Sequence, residues 1–527
     1  MLFSAIISGA VHGLKSHLIQ VEVDASKGLP CFQMVGLLGS EVKEARERVK
    51  VALKNAGIAL PAMCINVNLS PADLRKEGAL FDLPVAVGIM EVLGYLPEKS
   101  TEDILIIGEL GLNGEVKPVK GVLPIVMEAG RAGIGCCILP RDNAAEGAVV
   151  QNMEIIGVST LQETIRYLQM GGPDRHKFIA PCRVDVDALF AGNDRMAGQG
   201  TESDFADVHG QESVKRAAEI AAAGFHHLLM IGPPGSGKTM IAKRIPTILP
   251  PLSIEESMEV SAIYSIAGRL PKGEALLRER PFAAPHHIIT RQALAGGGRV
   301  PSPGMITLAH RGILFMDELP EWKRETIDVL RQPLEEKKVQ LARSTGNYVY
   351  PADFMLVGAM NPCPCGYYPD VHKCRCTPHE VRRYLERISG PVLDRIDICV
   401  EAPAIKVTAL REKTLPESSV QIRERVLLAR EIQKRRFAGT RLRFNADMGV
   451  KEIREYCKIT DQEERLLEQA FTALGLTARS YHRILKVART IADLNADTQI
   501  TERHLTEAIC YRMTDRKYLG QKQDMIE

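Results

Sequence analysis

The stretch Gly232-Pro-Pro-Gly-Ser-Gly-Lys-Thr239 sets three glycines, a lysine and a threonine at the spacing that wraps backbone N–H groups around phosphate oxygens. Apolar Leu228–Ile231 before it predicts a buried strand, and the residues after it predict a helix whose N-terminal dipole faces the anion. Gly232, Pro233, Pro234, Gly235, Ser236, Gly237, Lys238 and Thr239 are therefore expected to bind a nucleoside triphosphate. Lys238 would reach the β- and γ-phosphates and Thr239 would ligate Mg²⁺. A second apolar run, Ile313–Met316, ends in Asp317-Glu318. By itself that is an ordinary strand end with two solvated acids. Downstream of a phosphate loop, Asp317 is expected to hold Mg²⁺ through water and Glu318 to polarise the attacking water. A third strand, in DFMLVGAMNP, ends at Asn361, where a polar side chain could sense the γ-phosphate.

Directly after Asn361 come four cysteines, Cys363, Cys365, Cys374 and Cys376, in a Cys-x-Cys, eight-residue, Cys-x-Cys pattern. Gly366 and Pro369 between the pairs can reverse the chain. Four thiolates would make a closed, structural Zn²⁺ site with no open position for catalysis. His372 and His379 are possible substitute ligands, and unligated thiols or a redox pair remain open alternatives.

Such residues need elements to hold them. A chain of 527 residues that is 45% hydrophobic supplies cores for three or four domains. Its formal net charge of +2 provides no global attraction for nucleic acid or membrane, so any such partner depends on a local patch. The twelve cysteines show no disulfide-like spacing, which suits a reducing compartment. The N-terminus lacks the features of a signal peptide, and apolar stretches such as Ala79–Tyr95 are interrupted by charges. The expectation is a soluble, cytoplasmic protein.

Residues 1–168 mix strand-like alternation (LIQVEVDAS), a helical stretch (SEVKEARERVKVALKNAG) and the hairpin signal Asn113-Gly114, predicting a compact α+β or α/β domain. Residues 169–203 read as a linker with a short ordered piece around Val184–Phe190. Residues 204–403 alternate strands and helices in the α/β manner, residues 404–513 are helical, and 514–527 form a polar, frayed tail. The chain is thus expected to be an α/β multidomain protein.

The order of the phosphate loop, the acidic pair, Asn361, Arg395 before a further strand, and Arg479 at the start of a late helix resembles the AAA+ ATPases. The segment RPFAAPHHIITRQALAGGGRVPSPGMITLAHRGILFMDELPEW resembles their magnesium-chelatase-like branch. This resemblance implies an AAA+ P-loop NTPase α/β core, a C-terminal helical lid and a ring, usually a hexamer. It implies that Arg395 acts in trans on a neighbour's ATP and Arg479 in cis as sensor 2, with Arg483 a rival for that role. The N-terminal segments NLSPADLRKEGALFDLPVAVGIM and GELGLNGEVKPVKGVLPIV resemble the Lon-protease fold. Leu80 and Leu123 stand where that fold's serine and lysine belong, and neither can act as nucleophile or base. A Lon-like domain without peptidase activity would serve binding, ring assembly or gating. Lys76, Lys117 and Lys120 there could touch a partner or form a solvated rim. Together the two modules resemble the ComM/YifB family, whose competence-associated members act as ring-shaped DNA branch-migration helicases.

Single-stranded or branched DNA is accordingly the expected partner, besides other copies of the chain. Residues 411–443 carry ten Lys and Arg against four Glu, a balance of +6, which fits either a phosphate-binding patch or a solvated lid helix. The hairpin in EEKKVQLARSTGNYVYPADF, turning at Ser344–Asn347, and the insertion HHIITRQALAGGGRVPSPG are the better candidates for a ring channel. There Lys337, Lys338, Arg343 and Arg299 would meet phosphates without reading sequence. Two rivals are a chelatase motor subunit, weakened by the additional N-terminal domain and the lack of an Asp-x-Ser-x-Ser motif, and a protein-remodelling ATPase without peptidase activity.

Overall fold

A computed structural model describes residues 3–170, 174–191, 203–298, 301–343, 346–404 and 416–519. The chain divides into two compact units. The first comprises Met1–Ala191, Ser253–Arg278 and Ala342–Val349; the second comprises Gly192–Leu252, Glu279–Leu341 and Tyr350–Glu527.

In the first unit, β1 (Phe3–His12) and β2 (Lys15–Lys27) form a long antiparallel pair that turns at Gly13, whose φ of 68° lies in the left-handed region. β3 (Cys31–Val35), β4 (Met63–Ser70) and β5 (Ile104–Ile106) follow. The short hairpin β6 (Glu109–Leu110) and β7 (Val116–Lys117) encloses Asn113-Gly114, as the sequence predicts, with Gly114 at φ 83°. β8 (Cys136–Pro140) and β9 (Glu154–Val158) complete a seven-stranded sheet of order β3-β4-β2-β1-β5-β8-β9. The helix Asp82–Val92 is buried along almost its whole length because it packs on β1 and β2, and the Asp82 carboxylate at its start is paired with Arg48 at 2.7 Å. Leu80 and Leu123 are both buried aliphatic positions. Leu123 packs with Val149, Val186 and Leu276. Cys31 and Cys64 face each other across β3 and β4 and form a disulfide, a pairing that sequence spacing did not predict because 33 residues separate them.

Two short pieces from the later sequence complete this unit. The helix Ile254–Ala267 is started by a capping box between Ser253 and Glu256, and the carbonyl of Ser265 accepts from the N–H of Gly121. Residues 342–349 bring Tyr348 onto His12, ring centroids 4.4 Å apart.

The second unit is built on a parallel sheet. β10 (Leu228–Ile231) and β11 (Phe282–Ala283) are followed by a small ladder, β12 (Gly296–Gly297) and β13 (Ser302–Pro303), then by β14 (Ile313–Met316). A hairpin, β15 (Lys338–Arg343) and β16 (Gly346–Pro351), precedes β17 (Met355–Met360) and β18 (Ile398–Glu401). The main sheet runs β11-β14-β17-β10-β18, and every pairing in it is parallel. β10, β14 and β17 are buried at every residue, which explains why their sequences are continuous apolar runs. Helices Ser419–Arg436, Val450–Tyr456, Asp461–Leu474, Ala478–Leu494 and Glu502–Leu519 form the helical part. The last helix corrects the expected frayed tail: it continues to Leu519, and buried Tyr518 donates to Glu401 at 2.8 Å. Residues 520–527 lie outside the described residues. Among the described residues, no helix is long and apolar enough to cross a membrane.

Candidate functional site

Parallel strands place their C-terminal ends at one edge of the sheet, and three loops leave that edge side by side. Gly232–Gly237 follows β10, Asp317-Glu318 follows β14, and Asn361 follows β17. Gly232 is required because a Cβ there would overlap the Ala402 carbonyl, and Gly235 and Gly237 have φ of 74° and 83°. The helix Lys238–Ile248 begins immediately after the loop.

Lys238 folds back over the loop and donates to the carbonyls of Gly232 and Pro233 at 2.8 and 2.9 Å. It also reaches Ser236 Oγ and Asn361 Oδ1, both at 3.3 Å. Burial pushes its ammonium down to about 8, against the opposing pull of Asp317 and Glu318. Thr239 Oγ1 donates to Asp317 Oδ2 at 2.7 Å. A hydroxyl and a carboxylate in contact at a helix N-terminus, beside a buried lysine short of anionic partners, is a donor set that fits Mg²⁺ and the phosphates of a nucleotide. Glu318 stands at φ 49° with its carboxylate 3.6 Å from His287 Nδ1.

Sequence reasoning missed three supports of this site. His287 lies within the quoted segment before β14, but only the β11–β14 pairing brings it to Glu318. Gln211 is buried and bridges the Ser236 and Pro403 carbonyls at 3.0 and 2.7 Å, tying the loop to the end of β18. Trp322, the one tryptophan, donates to the Asp317 carbonyl at 2.8 Å.

The four cysteines come together. All four sulfur atoms lie within 4.8 Å of one another, with Cys363–Cys365 at 3.3 Å, Cys365–Cys374 at 3.6 Å and Cys363–Cys374 at 3.8 Å. A regular tetrahedron with metal–sulfur bonds of about 2.3 Å has edges of about 3.8 Å, so the cluster can hold a tetrahedral ion. The Gly366 and Tyr368 N–H groups donate to Cys363 Sγ at 3.2 and 3.4 Å. His372 and His379 are outside this group and exposed. The knuckle also touches the nucleotide loop: a Cβ on Gly366 would overlap the ring of Pro234.

The arginines lie elsewhere. Arg395 precedes β18, so it belongs to the N-terminal edge of the sheet, a strand length of about 13 Å from the phosphate loop. A cavity of about 370 Å³ at this edge is lined by Glu335, Lys337, Asp353, Arg395, Asp397, Arg479, Arg483 and Lys486, among others. Arg395 pairs with Glu335, and Arg479 reaches the same carboxylate oxygen at 3.6 Å. Arg483 lies 3.5 Å from Asp397 and donates to the Ile396 carbonyl. Burial would raise the Asp397 carboxyl, but the bond from His226 and the charges of His227 and Arg483 hold it well below the usual range. Arg479 and its rival Arg483 stand with Arg395 at the edge opposite their own chain's phosphate loop.

The expected DNA contacts are dispersed. Lys337 is engaged by Asp353 at 3.0 Å and by Asp447, which leaves it no free charge to offer. Lys338 is half-exposed and 3.5 Å from Glu336. Arg343 is exposed but lies near a hairpin tip packed within the first unit, so the hairpin is not a free loop; residues 344–345 of its turn, and Arg299, lie outside the described residues. Much of the basic 411–443 stretch is similarly engaged. Arg425 pairs with Glu219 and Glu417, Arg436 with Asp493, and Arg430 is buried over the Phe444 ring at 3.7 Å. Arg411 and Lys413 lie outside the described residues.

The family description "Magnesium chelatase, subunit ChlI" matches residues 204–410, "Subunit ChlI of Mg-chelatase" matches 21–143, and "Magnesium chelatase, subunit ChlI C-terminal" matches 416–512. The chain is 42% identical over 517 residues to the uncharacterized protein YifB of Salmonella typhimurium, covering 98% of both chains. It is 41% identical over 513 residues to the competence protein ComM of Haemophilus influenzae, covering 97% of this chain and 98% of that one. It is also 28% identical over 200 residues to Lon protease 2 of Bacillus subtilis, about a third of each chain. With an AAA+ nucleotide site intact, matches that run almost end to end and a partial likeness to Lon, the chain belongs to the ComM/YifB family of magnesium-chelatase-like AAA+ ATPases.

Proposed function

We propose that the chain is a ring-forming ATPase whose hydrolytic sites are completed between neighbouring copies, and that the ring is a motor on single-stranded or branched DNA. One observation carries the ring: Lys238, Asp317, Glu318 and Asn361 occupy one edge of the parallel sheet, and Arg395 and Arg479 occupy the other. A chain stacked head-to-tail on the next offers its arginine edge to that neighbour's phosphates. Repetition of the contact closes a ring, and a hexamer is the expected size.

In this reading Lys238 and the loop N–H groups bind the ATP phosphates, Glu318 orients the attacking water, and Asn361 lies beside Lys238 to meet the γ-phosphate. Thr239, and Asp317 through water, would hold a Mg²⁺, which would supply neutralising charge to the phosphates. The four cysteines would hold a structural Zn²⁺, which would tie the loop after Asn361 to the nucleotide loop. The DNA reading is supported by the name of the competence relative and by the family resemblance. The boundaries 1–168, 169–203, 204–403, 404–513 and 514–527 are the proposed domain plan, with the two inserted pieces belonging to the first unit.

The test is ATP hydrolysis with and without single-stranded and four-way-junction DNA, with Lys238→Ala and Glu318→Gln as inactive controls. Several-fold stimulation by DNA in the wild type alone supports the motor. Hydrolysis unaffected by any DNA at low and moderate salt removes the DNA reading. It leaves a protein client, or the chelatase-type role that the matched descriptions favour.

A further inference from the structure

Two guanidinium groups from distant parts of the sequence converge on one carboxylate oxygen. Arg395 comes from the turn before β18 and Arg479 from the first turn of the helix Ala478–Leu494, and both reach Glu335 Oε1. The carboxylate between them offsets the repulsion of two like charges. We propose that Glu335 is a competing anion for the two arginines: its carboxylate occupies them at the N-terminal edge until the γ-phosphate of a neighbouring chain's ATP displaces it. The proposal rests on the composite-site reading above.

The other carboxylates lining the cavity are already committed. Asp353 and Asp447 engage Lys337, and Asp397 faces Arg483 and His226. Among the described residues, Glu335 alone is in ion-pair contact with Arg395 or Arg479. The exposures differ in a useful way: the Arg395 side chain is 11% exposed, Glu335 55% and Arg479 62%. The carboxylate can therefore swing out while Arg395 stays seated. A terminal phosphate offers more negative charge and three acceptor oxygens, and matches two guanidinium forks better than one carboxylate does.

The chain carrying Glu335 also connects the two edges. It leaves the acidic pair at Asp317-Glu318, where Trp322 clamps the turn, and runs through the helices Arg324–Asp328 and Arg331–Glu336. It is pinned just beyond Glu335 by Lys337, at φ 54° and paired to Asp353 and Asp447. The anion that restrains the trans arginines is thus borne by the segment that continues from the same chain's own hydrolytic acids.

The test uses full-length protein and steady-state ATP hydrolysis by Glu335→Gln and Glu335→Asp, with thermal melts to show that both fold. Removing a competing carboxylate is expected to lower KM for ATP about three- to fivefold while kcat stays within about twofold. Glu335→Asp, which keeps the charge, should stay near the wild-type KM. The difference between Gln and wild type should shrink toward nothing at about 0.5 M salt, as a merely structural role would not. An unchanged or raised KM in Glu335→Gln overturns the proposal, as does a collapse of kcat with KM unchanged. Arg395→Ala and Arg479→Ala separate the two readings. If both retain full activity, the composite site itself fails. If both are inactive while Glu335→Gln behaves as wild type, only the role of Glu335 fails.

Discussion

At the scale of single residues, Lys238 carries the sharpest electrostatic consequence. Burial holds its ammonium near 8, so it is charged at neutral pH and loses its proton as pH rises through that value. Phosphate oxygens favour the charged form and raise the value again. ATP binding is therefore expected to take up a proton between about pH 8 and 9 and almost none at pH 7, with affinity falling as pH rises through this window. Calorimetry in buffers of different ionisation enthalpy measures the uptake; an uptake of the same size at about pH 7 and about pH 9 would assign the proton elsewhere. Glu318 has a separable role. Glu318→Gln should retain nucleotide binding and lose about 10²- to 10⁴-fold in hydrolysis, read by comparing ATP affinity with kcat. These residues were legible in the sequence because the phosphate-loop motif and the strand-end acid pair each put specific residue types at fixed offsets. His287 and Gln211 were not, since a lone histidine or glutamine has no pattern and acts here only through contacts made by other strands.

At the scale of elements, the cysteine knuckle and the nucleotide loop form one packed piece. Gly366 has φ 86° and no room for a Cβ beside Pro234, so Gly366→Ala is expected both to strain the knuckle and to push on the loop. The expected readout is a raised KM for ATP in a variant that still folds. Protein purified without added zinc should carry about one Zn²⁺ per chain, and stripping it with a strong chelator should weaken ATP binding in the same direction as Gly366→Ala. Less than about half an equivalent of metal, or an unchanged nucleotide affinity after removal, would count against this coupling. Trp322 gives a second handle at this scale. Its indole bond to the Asp317 carbonyl is worth about 1 kcal/mol, so Trp322→Phe should lower stability by about that amount in denaturant titrations. In the wild type, the fluorescence of this single tryptophan should change when Mg²⁺-ATP binds. The strands β10, β14 and β17 were legible as elements because a parallel strand buried on both faces is an unbroken apolar run.

At the scale of the whole molecule, the separation of the two functional edges predicts complementation. In the proposed ring, Lys238→Ala would remove a chain's own phosphate grip, and Arg395→Ala would remove what that chain lends to its neighbour. Each should be inactive alone. In randomly mixed rings at equal ratio, about a quarter of sites pair an intact phosphate loop with an intact neighbouring arginine, and that fraction of wild-type hydrolysis should return. Arg479→Ala should complement Lys238→Ala in the same way if it acts in trans, and should fail to do so if it acts within its own chain. Mixing experiments at a chain concentration that supports assembly decide this.

The sequence alone determined the class and the residue pattern that marks it: the phosphate-loop motif, the strand-end acid pair, Asn361, the cysteine cluster, and the resemblance that the almost full-length matches bear out. These are properties of residue type at fixed local spacing, which a chain carries without being folded. Only the tertiary structure decided who faces whom. It sent Arg395 to the edge opposite the phosphate loop, because a parallel sheet separates the residues before its strands from those after them, and it brought Arg479 there from the helix Ala478–Leu494 through the shared contact with Glu335. It drew residues 253–278 and 342–349 into the first unit, and paired Cys31 with Cys64. It also committed Lys337, Arg425 and Arg436 to acids far away in sequence. Each of those outcomes depends on contacts between distant segments, and local spacing carries no record of them.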